Sequence, residues 1–250
     1  MTLKLPVMSI IGGIKNWGKK QSFQPNVLSV FLNPALFARW YAFKAIKKRA
    51  PLLKGTLLDF GCGRKPYRNL FLNVEKYIGL DIEVSGHPHQ ESEVDVYYDG
   101  KIIPFGDEYF DSVYCSEVVE HLFNLDEILL EISRVLKKDG IGLFTFPFAW
   151  QEHEVPYDFA RYTSFAAKSI FEKKGFEALE IHKNGHFLIT VWQLWINYIF
   201  TLFRTKNRYI NTLLTIIFIT PFNIIGLLVS VLPKKSELYL TNVVVVKKIW

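Results

Sequence analysis

The chain has 250 residues, 50% of them hydrophobic, with 30 Lys+Arg against 24 Asp+Glu and a formal net charge of +6. That length suits one α/β domain with an appendage, the apolar share excludes a disordered chain, and the modest positive charge demands neither a nucleic acid nor an anionic membrane as partner. Two cysteines, Cys62 and Cys115, can build neither a disulfide scaffold nor a four-ligand zinc site, so a reducing, cytosolic setting is expected and no metal site is assigned.

Residues 1–20 carry only short apolar runs, broken by Pro6, Gly12 and Gly13. They read as an irregular arm rather than a signal peptide. From Pro34 to Arg49 the residues Leu36, Phe37, Trp40, Tyr41, Phe43 and Ile46 recur at helical spacing, and Lys44, Lys47, Lys48 and Arg49 gather at the end. Pro34 suits a first turn, the basic cluster suits the negative end of the helix dipole, and Pro51 stops the helix. It reads as a packing helix that opens the domain, with a membrane-surface helix as the alternative.

Gly55 to Phe60 is a short apolar run that includes Asp59, and Gly61-Cys62-Gly63 follows at once. Tyr67 to Leu72 can open a helix behind it. A strand, a glycine turn and a helix form the corner at which open α/β sheets bind nucleotides. A second strand, Tyr77 to Asp81, ends in an acid about twenty residues after the first, where a ribose-binding carboxylate belongs. Pro66 stands where a dinucleotide fingerprint needs its third glycine, and no phosphate-cradling G-x-x-x-x-G-K-[ST] is present. Asp59 directly before the turn repels a pyrophosphate and attracts a cation. The expected ligand is a nucleoside that carries an ammonium group.

At this point the residues resemble a family. Leu57 to Gly63 is similar to the first motif of class I S-adenosylmethionine-dependent methyltransferases, of the type 11 small-molecule kind, and Asp81 falls at their ribose acid. Asp99 to Phe105 resembles the segment whose acid lies near the adenine amino group. Phe110 to Cys115 resembles the fourth strand, Ser116 to His121 its continuation, and Arg134 to Phe146 the helix end, turn and fifth strand. The resemblance runs from about residue 55 to 182 and implies a Rossmann-like α/β fold, a mostly parallel seven-stranded sheet with helices on both faces. It implies S-adenosylmethionine as cofactor, held by Asp59, Gly61, Gly63, Asp81, Asp99 and Ser116. One departure from the family is Arg64-Lys65-Pro66 in place of a further glycine after Gly63.

The residues independently support that order of elements. Leu125 to Leu136 places Ile128, Leu129, Ile132, Val135 and Leu136 on one helical face, with Asp126 as the expected cap and Gly140 as the expected turn into an apolar strand. A methyltransferase of this class needs alignment more than covalent help, and a base only if its acceptor must lose a proton early. The loop after the fifth strand holds Gln151, Glu152, His153, Glu154, Tyr157, Asp158 and Arg161, at a strand end where substrate-facing loops belong. His153, oriented by a neighbouring acid, is the first candidate base and His121 the second. Tyr157, Asp158 and Arg161 are candidate acceptor contacts, Arg161 for a carboxylate or phosphate. The alternative is a polar loop tied down by its own salt bridges. Cys62 and Cys115 read as small packing residues.

After a sixth strand at Gly175 to Ile181, residues 187–203 contain no charge, Arg204, Lys206 and Arg208 interrupt, and residues 209–232 are again uncharged. Leu238 to Val246 reads as the buried last strand. At 1.5 Å per residue the apolar segments reach roughly 26 and roughly 36 Å, against about 30 Å of hydrocarbon. A pair of crossings would put the three basic residues on the outer face, against the positive-inside tendency. Segments lying in the interface, or a re-entrant hairpin broken at Pro221, avoid that objection. The expected division is an arm and helix at 1–54, a cofactor-binding core at 55–186, an apolar membrane-associating insertion at 187–235 and the last strand at 236–250. The expected function is methyl transfer to a small amphipathic or lipid-linked acceptor at the cytoplasmic membrane face, with no nucleic acid as partner. Its alternatives are a non-catalytic Rossmann-like binding or membrane-adaptor protein, and a soluble cytoplasmic location.

Overall fold

The structure is a computed structural model that describes residues 21–83 and 93–250, so the expected arm at 1–20 lies outside the described residues. Seven strands form one sheet in the order β3-β2-β1-β4-β5-β7-β6, with β1 at Gly55–Phe60, β2 at Val74–Ile82, β3 at Val96–Tyr98, β4 at Phe110–Ser116, β5 at Leu136–Pro147, β6 at Phe176–Asn184 and β7 at Thr241–Lys248. β1 to β5 pair in parallel, and β7 runs antiparallel to both of its neighbours. The Rossmann-like class and the close of the sheet by its last two strands are as expected.

Period-two alternation sorts the side chains into two cores. Leu58, Val113, Cys115, Phe144, Val244 and Val246 face α2 (Leu125–Val135) and α3 (Ser164–Glu172). Their chain neighbours Leu57, Tyr114, Leu143, Val243 and Val245 face the other way, onto α1 (Leu36–Arg49) and the segment around Tyr67 and Phe71. The buried guanidinium of Arg49 forks onto the Glu180 carboxylate and ties the end of α1 to β6.

Four local expectations are corrected. No α-helix follows the glycine turn: Tyr67 to Leu72 forms only a 3₁₀ turn at Arg68–Leu70, because buried Tyr67 and Phe71 pin that segment against Tyr114. α2 starts after Asn124, with no side-chain cap from Asp126, which sits inside the first turn and meets the dipole there. The expected turn falls inside β5, where the register with β4 shifts between Leu136 and Ile141: Asp139 takes the left-handed conformation (φ 64°), while Gly140 is needed for its close approach to Leu136, whose Cδ1 lies 2.7 Å from where a Cβ would stand. Pro221 does not break the second apolar segment: a π-helical stretch at Thr215–Ile219 absorbs it, so α5 (Arg208–Leu214) and α6 (Thr220–Val229) join in one continuous helical run.

The insertion between β6 and β7 therefore consists of α4 (Phe187–Phe203) packed on that second run. Trp192 donates to the Phe222 carbonyl, the Phe203 and Phe218 rings stack, and Gly226 lets Phe37 and Trp192 approach the helix backbone. α1 and the chain before it complete this unit through Val30, Leu36 and Phe37.

Candidate active site

The carboxyl ends of β1, β2, β4 and β5 share one edge of the sheet, as parallel pairing requires. Gly61 leaves β1 in the left-handed region (φ 70°), and a side chain there would strike Val118 at 2.3 Å. Gly63 is also left-handed (φ 47°), with open space where its Cβ would be, so a ligand can approach its backbone. Its N–H donates to Asp81 Oδ2 at 2.9 Å, which joins the glycine turn to the acid at the end of β2. The other Asp81 oxygen accepts from the N–H of Ile82.

Asp59 is buried beside this turn, and the Tyr77 hydroxyl donates to it. Burial pushes its carboxyl from the ordinary 3.8 up to about 7, against the pull of the Tyr77 hydrogen bond and the Lys65 charge. Lys65, which is almost fully buried, reaches Asp95 Oδ2 at 2.6 Å, and the same oxygen accepts from the N–H of Gly79. Lys65 and Asp95 thus fix the departure loop. Sequence reading missed Asp95, whose only signal was an acid just ahead of the short β3. Asp99 sits exposed after β3, and its carboxylate accepts from the N–H groups of Lys101 and Ile102 in an Asx turn. Burial pushes both the Cys62 and Cys115 thiols up, which suits packing residues rather than thiolates.

A second group of residues lies beyond β4 and β5. Ser116 Oγ and Thr145 Oγ1 are 2.8 Å apart across the two strands, and Thr145 donates onward to Glu117. The chain then turns through Glu117 in the left-handed region (φ 56°) into a 3₁₀ turn at Val119–His121. Glu120 is fully buried, neither of its oxygens has a hydrogen-bond partner, and burial together with the like charge of Glu117 pushes its carboxyl well above the usual range. The loop after β5 folds over this turn, with the N–H of Phe159 donating to the Glu120 carbonyl. His121 and His153 meet edge to face with ring centroids 4.8 Å apart.

Sequence-predicted His121, His153, Tyr157, Asp158 and Arg161 are thereby brought into one cluster. His121 Nδ1 lies 2.7 Å from the Tyr157 carbonyl. His153 Nδ1 lies 3.2 Å from Asp158 Oδ2, and Arg161 forks onto both Asp158 oxygens at 2.6 and 2.7 Å. That fork holds the Asp158 carboxyl well below the usual carboxylate range. The Tyr157 side chain itself is exposed. Glu117 and Glu120 were not singled out in the sequence, although their three-residue spacing ahead of His121 brings them to one turn.

Residues 58–144 match the family model described as a methyltransferase domain. Among solved structures, the chain is similar to the [4+2]-cyclase SpnF (TM-score 0.54, 16% identity, covering 83% of this chain and 82% of that one). It is similar to an S-adenosylmethionine-dependent methyltransferase from Mesorhizobium loti (TM-score 0.51, 12% identity, 83% and 98% covered). It is also similar to Haemonchus contortus phosphoethanolamine N-methyltransferase 2 in complex with S-adenosyl-L-methionine (TM-score 0.51, 16% identity, 84% and 53% covered). At these identities the likeness is one of fold. No curated protein matches the sequence.

Proposed function

We propose that this chain is a class I S-adenosylmethionine-dependent methyltransferase that passes the cofactor's methyl group to a small acceptor with a lipid portion, working from the cytoplasmic face of a membrane. The cofactor fits the residues present: an open glycine cradle at Gly63 beside a carboxylate, and a buried acid, Asp59, poised to ionise against a cation. When bound, the cofactor supplies an already activated methyl group on a sulfonium. In this reading Asp81 accepts from the ribose hydroxyls, the Gly61–Gly63 backbone lies along the nucleoside, and Asp59 draws the ammonium end, with Asp99 and Ser116 as flanking contacts. His153, with His121 behind it, is proposed to relieve the acceptor of its proton, and Arg161 to orient it.

The observation that carries the membrane part is an inverted pattern in the insertion. The inward face of α4 holds Gln193 and Asn197 beside Ile189 and Ile196, and that of α6 holds Asn223. Most of their polar atoms are paired internally: Gln193 accepts from the Phe37 N–H and donates to the Pro34 carbonyl and to Asn197 Oδ1, and Asn223 donates to the carbonyls of Val30 and Asn33, while Asn197 Nδ2 and Asn223 Oδ1 have no partner. Leu188, Val191, Trp195, Tyr198 and Leu202 face outward at helical spacing, all more than a third exposed. A water-soluble surface helix has the opposite arrangement, whereas polar-in and apolar-out suits lipid. The run Tyr209–Val229 is the one described helix long and apolar enough to cross a membrane.

The strand register supports this reading. Thr241 at the start of β7 lies opposite both Pro147 at the carboxyl end of β5 and Asn184 at the end of β6. The insertion therefore leaves and re-enters the sheet at the end that carries the carboxyl terminus of β5, and in this reading an acceptor anchored in lipid reaches the cofactor site from the bilayer. Membrane fractionation tests the reading. The expected result is protein that resists carbonate and yields to detergent. Monodisperse protein in the detergent-free supernatant, with residues 187–232 protected from protease, would mean that the helices form a folded lid or a dimer core.

A further inference from the structure

We infer that Glu120, His121 and His153 form a binding site for one divalent first-row transition-metal ion at the carboxyl ends of β4 and β5. The inference deepens the methyltransferase reading and rests on it for the use of the ion. Sequence reading assigned no metal, because the three donors come from two separated segments that only the fold unites.

One donor oxygen or nitrogen from each residue lies within 4.8 Å of the others. Glu120 Oε1 is 3.7 Å from His121 Nε2 and 3.8 Å from His153 Nε2. Tetrahedral ligands with bonds of about 2.1 Å stand roughly 3.4 Å apart, so each ring tip needs to close on Glu120 Oε1 by only a few tenths of an ångström, and the widest separation in the set, 4.8 Å, by somewhat more than one. Glu154 Oε1, 3.6 Å from His121 Nε2, lies within reach as a further oxygen.

The second observation is what these atoms lack. Glu120 is 0% exposed with both oxygens unpartnered, and His121 Nε2 is also buried and unpartnered. A buried carboxylate without hydrogen bonds is costly, and native proteins resolve such groups by pairing them or by ligating a cation. The third observation is how the two rings are held. His121 Nδ1–H donates to the Tyr157 carbonyl, and His153 Nδ1 lies 3.2 Å from Asp158 Oδ2, in a carboxylate that Arg161 holds at both oxygens. The bond to the carbonyl puts the His121 proton on Nδ1 and leaves its Nε2 lone pair free for a metal, with Glu120 Oε1 3.7 Å away. A carboxylate or carbonyl behind a ligating imidazole is the usual support of metal-binding histidines.

Two imidazoles and one carboxylate favour zinc, cobalt, nickel, iron or manganese over magnesium and calcium, which prefer sets built from oxygen. Three protein ligands leave a position open. An acceptor hydroxyl bound there loses its proton to water more readily, which assigns the acceptor to the hydroxyl class and makes His153 a ligand in the metal-loaded state.

The experiment titrates the full-length, detergent-solubilised, EDTA-stripped protein with CoCl2, following visible absorbance, and with ZnCl2 by equilibrium dialysis and elemental analysis. The expected result is one equivalent bound, with affinity at least tenfold weaker in His153→Ala and in the conservative Glu120→Gln. It should be unchanged in His182→Ala, a histidine outside the cluster. Titration with S-adenosylmethionine in each variant verifies that the fold and the cofactor site survive. Substoichiometric binding, equal binding in the cluster variants, or magnesium binding as tight as cobalt would overturn the site. Cofactor binding without metal binding would sink this inference and leave the methyltransferase reading standing, whereas metal binding without any methyl transfer would sink that reading alone.

Discussion

Asp59→Asn tests whether the glycine corner stores an unfavourable charge for its ligand. Asp59 lies fully inside the protein with its carboxyl raised from 3.8 to about 7, chiefly by burial. Between those values the folded state holds a proton that the unfolded chain has released. Stability therefore falls as pH rises from about 4 to about 7 and levels off above it. About three pH units at ~1.36 kcal/mol each amount to something on the order of 4 kcal/mol. Asparagine keeps an oxygen for the Tyr77 hydroxyl but does not ionise, so the variant lacks this slope. Urea unfolding in a mild detergent at pH 4, 6 and 8 provides the assay. The stability difference between variant and parent should swing toward the variant by roughly 4 kcal/mol over that range, while the variant binds S-adenosylmethionine more weakly at pH 8. A difference that does not change with pH would refute the reasoning, since it would mean that Asp59 is ordinarily ionised or ordinarily solvated.

Asp81→Ala removes the carboxylate that meets the Gly63 N–H and, in this account, the ribose diol; calorimetry should show cofactor affinity down about ten- to a hundredfold, equivalent to roughly 1.5–3 kcal/mol. His153→Ala should lower turnover while leaving cofactor affinity within a factor of two or so, because it lies in the loop beyond β5 and not at the glycine turn. Parental turnover would remove His153 from the chemistry. Gly226→Val puts its Cβ 2.3 Å from Phe37 Cζ and should destabilise the packing of the insertion on α1, lowering the thermal midpoint by an amount equivalent to about 1–3 kcal/mol.

The sheet was legible because its strands are buried on both faces. Val243 to Val246 read as a strand from apolar content alone, and the same alternation divides them between the two cores. The glycine turn and Asp81 were legible because backbone conformation and charge there leave few residue choices. The missing helix after Gly63 was not legible: Tyr67 to Leu72 has the content of a helix, and tertiary packing of Tyr67 and Phe71 overrides it. Glu120 was legible only as the neighbour of His121 and not as a buried group, because an acid in a loop ordinarily faces water, and only the fold of the loop after β5 buries it. The polar inner face of the insertion was equally hidden. An uncharged segment offers no contrast from which to tell which side meets protein, and the N-terminal chain that receives Gln193 and Asn223 lies more than 150 residues away.

Transfer of radiolabel from S-adenosyl-L-[methyl-³H]methionine tests the central claim most directly. Purified protein would be incubated with membranes and the products divided between organic and aqueous phases. The account predicts label in the organic phase with the parent protein and its loss with Asp81→Ala. Label confined to the aqueous phase would contradict a lipid-bearing acceptor, and cofactor left intact in the presence of membranes would contradict methyl transfer there altogether.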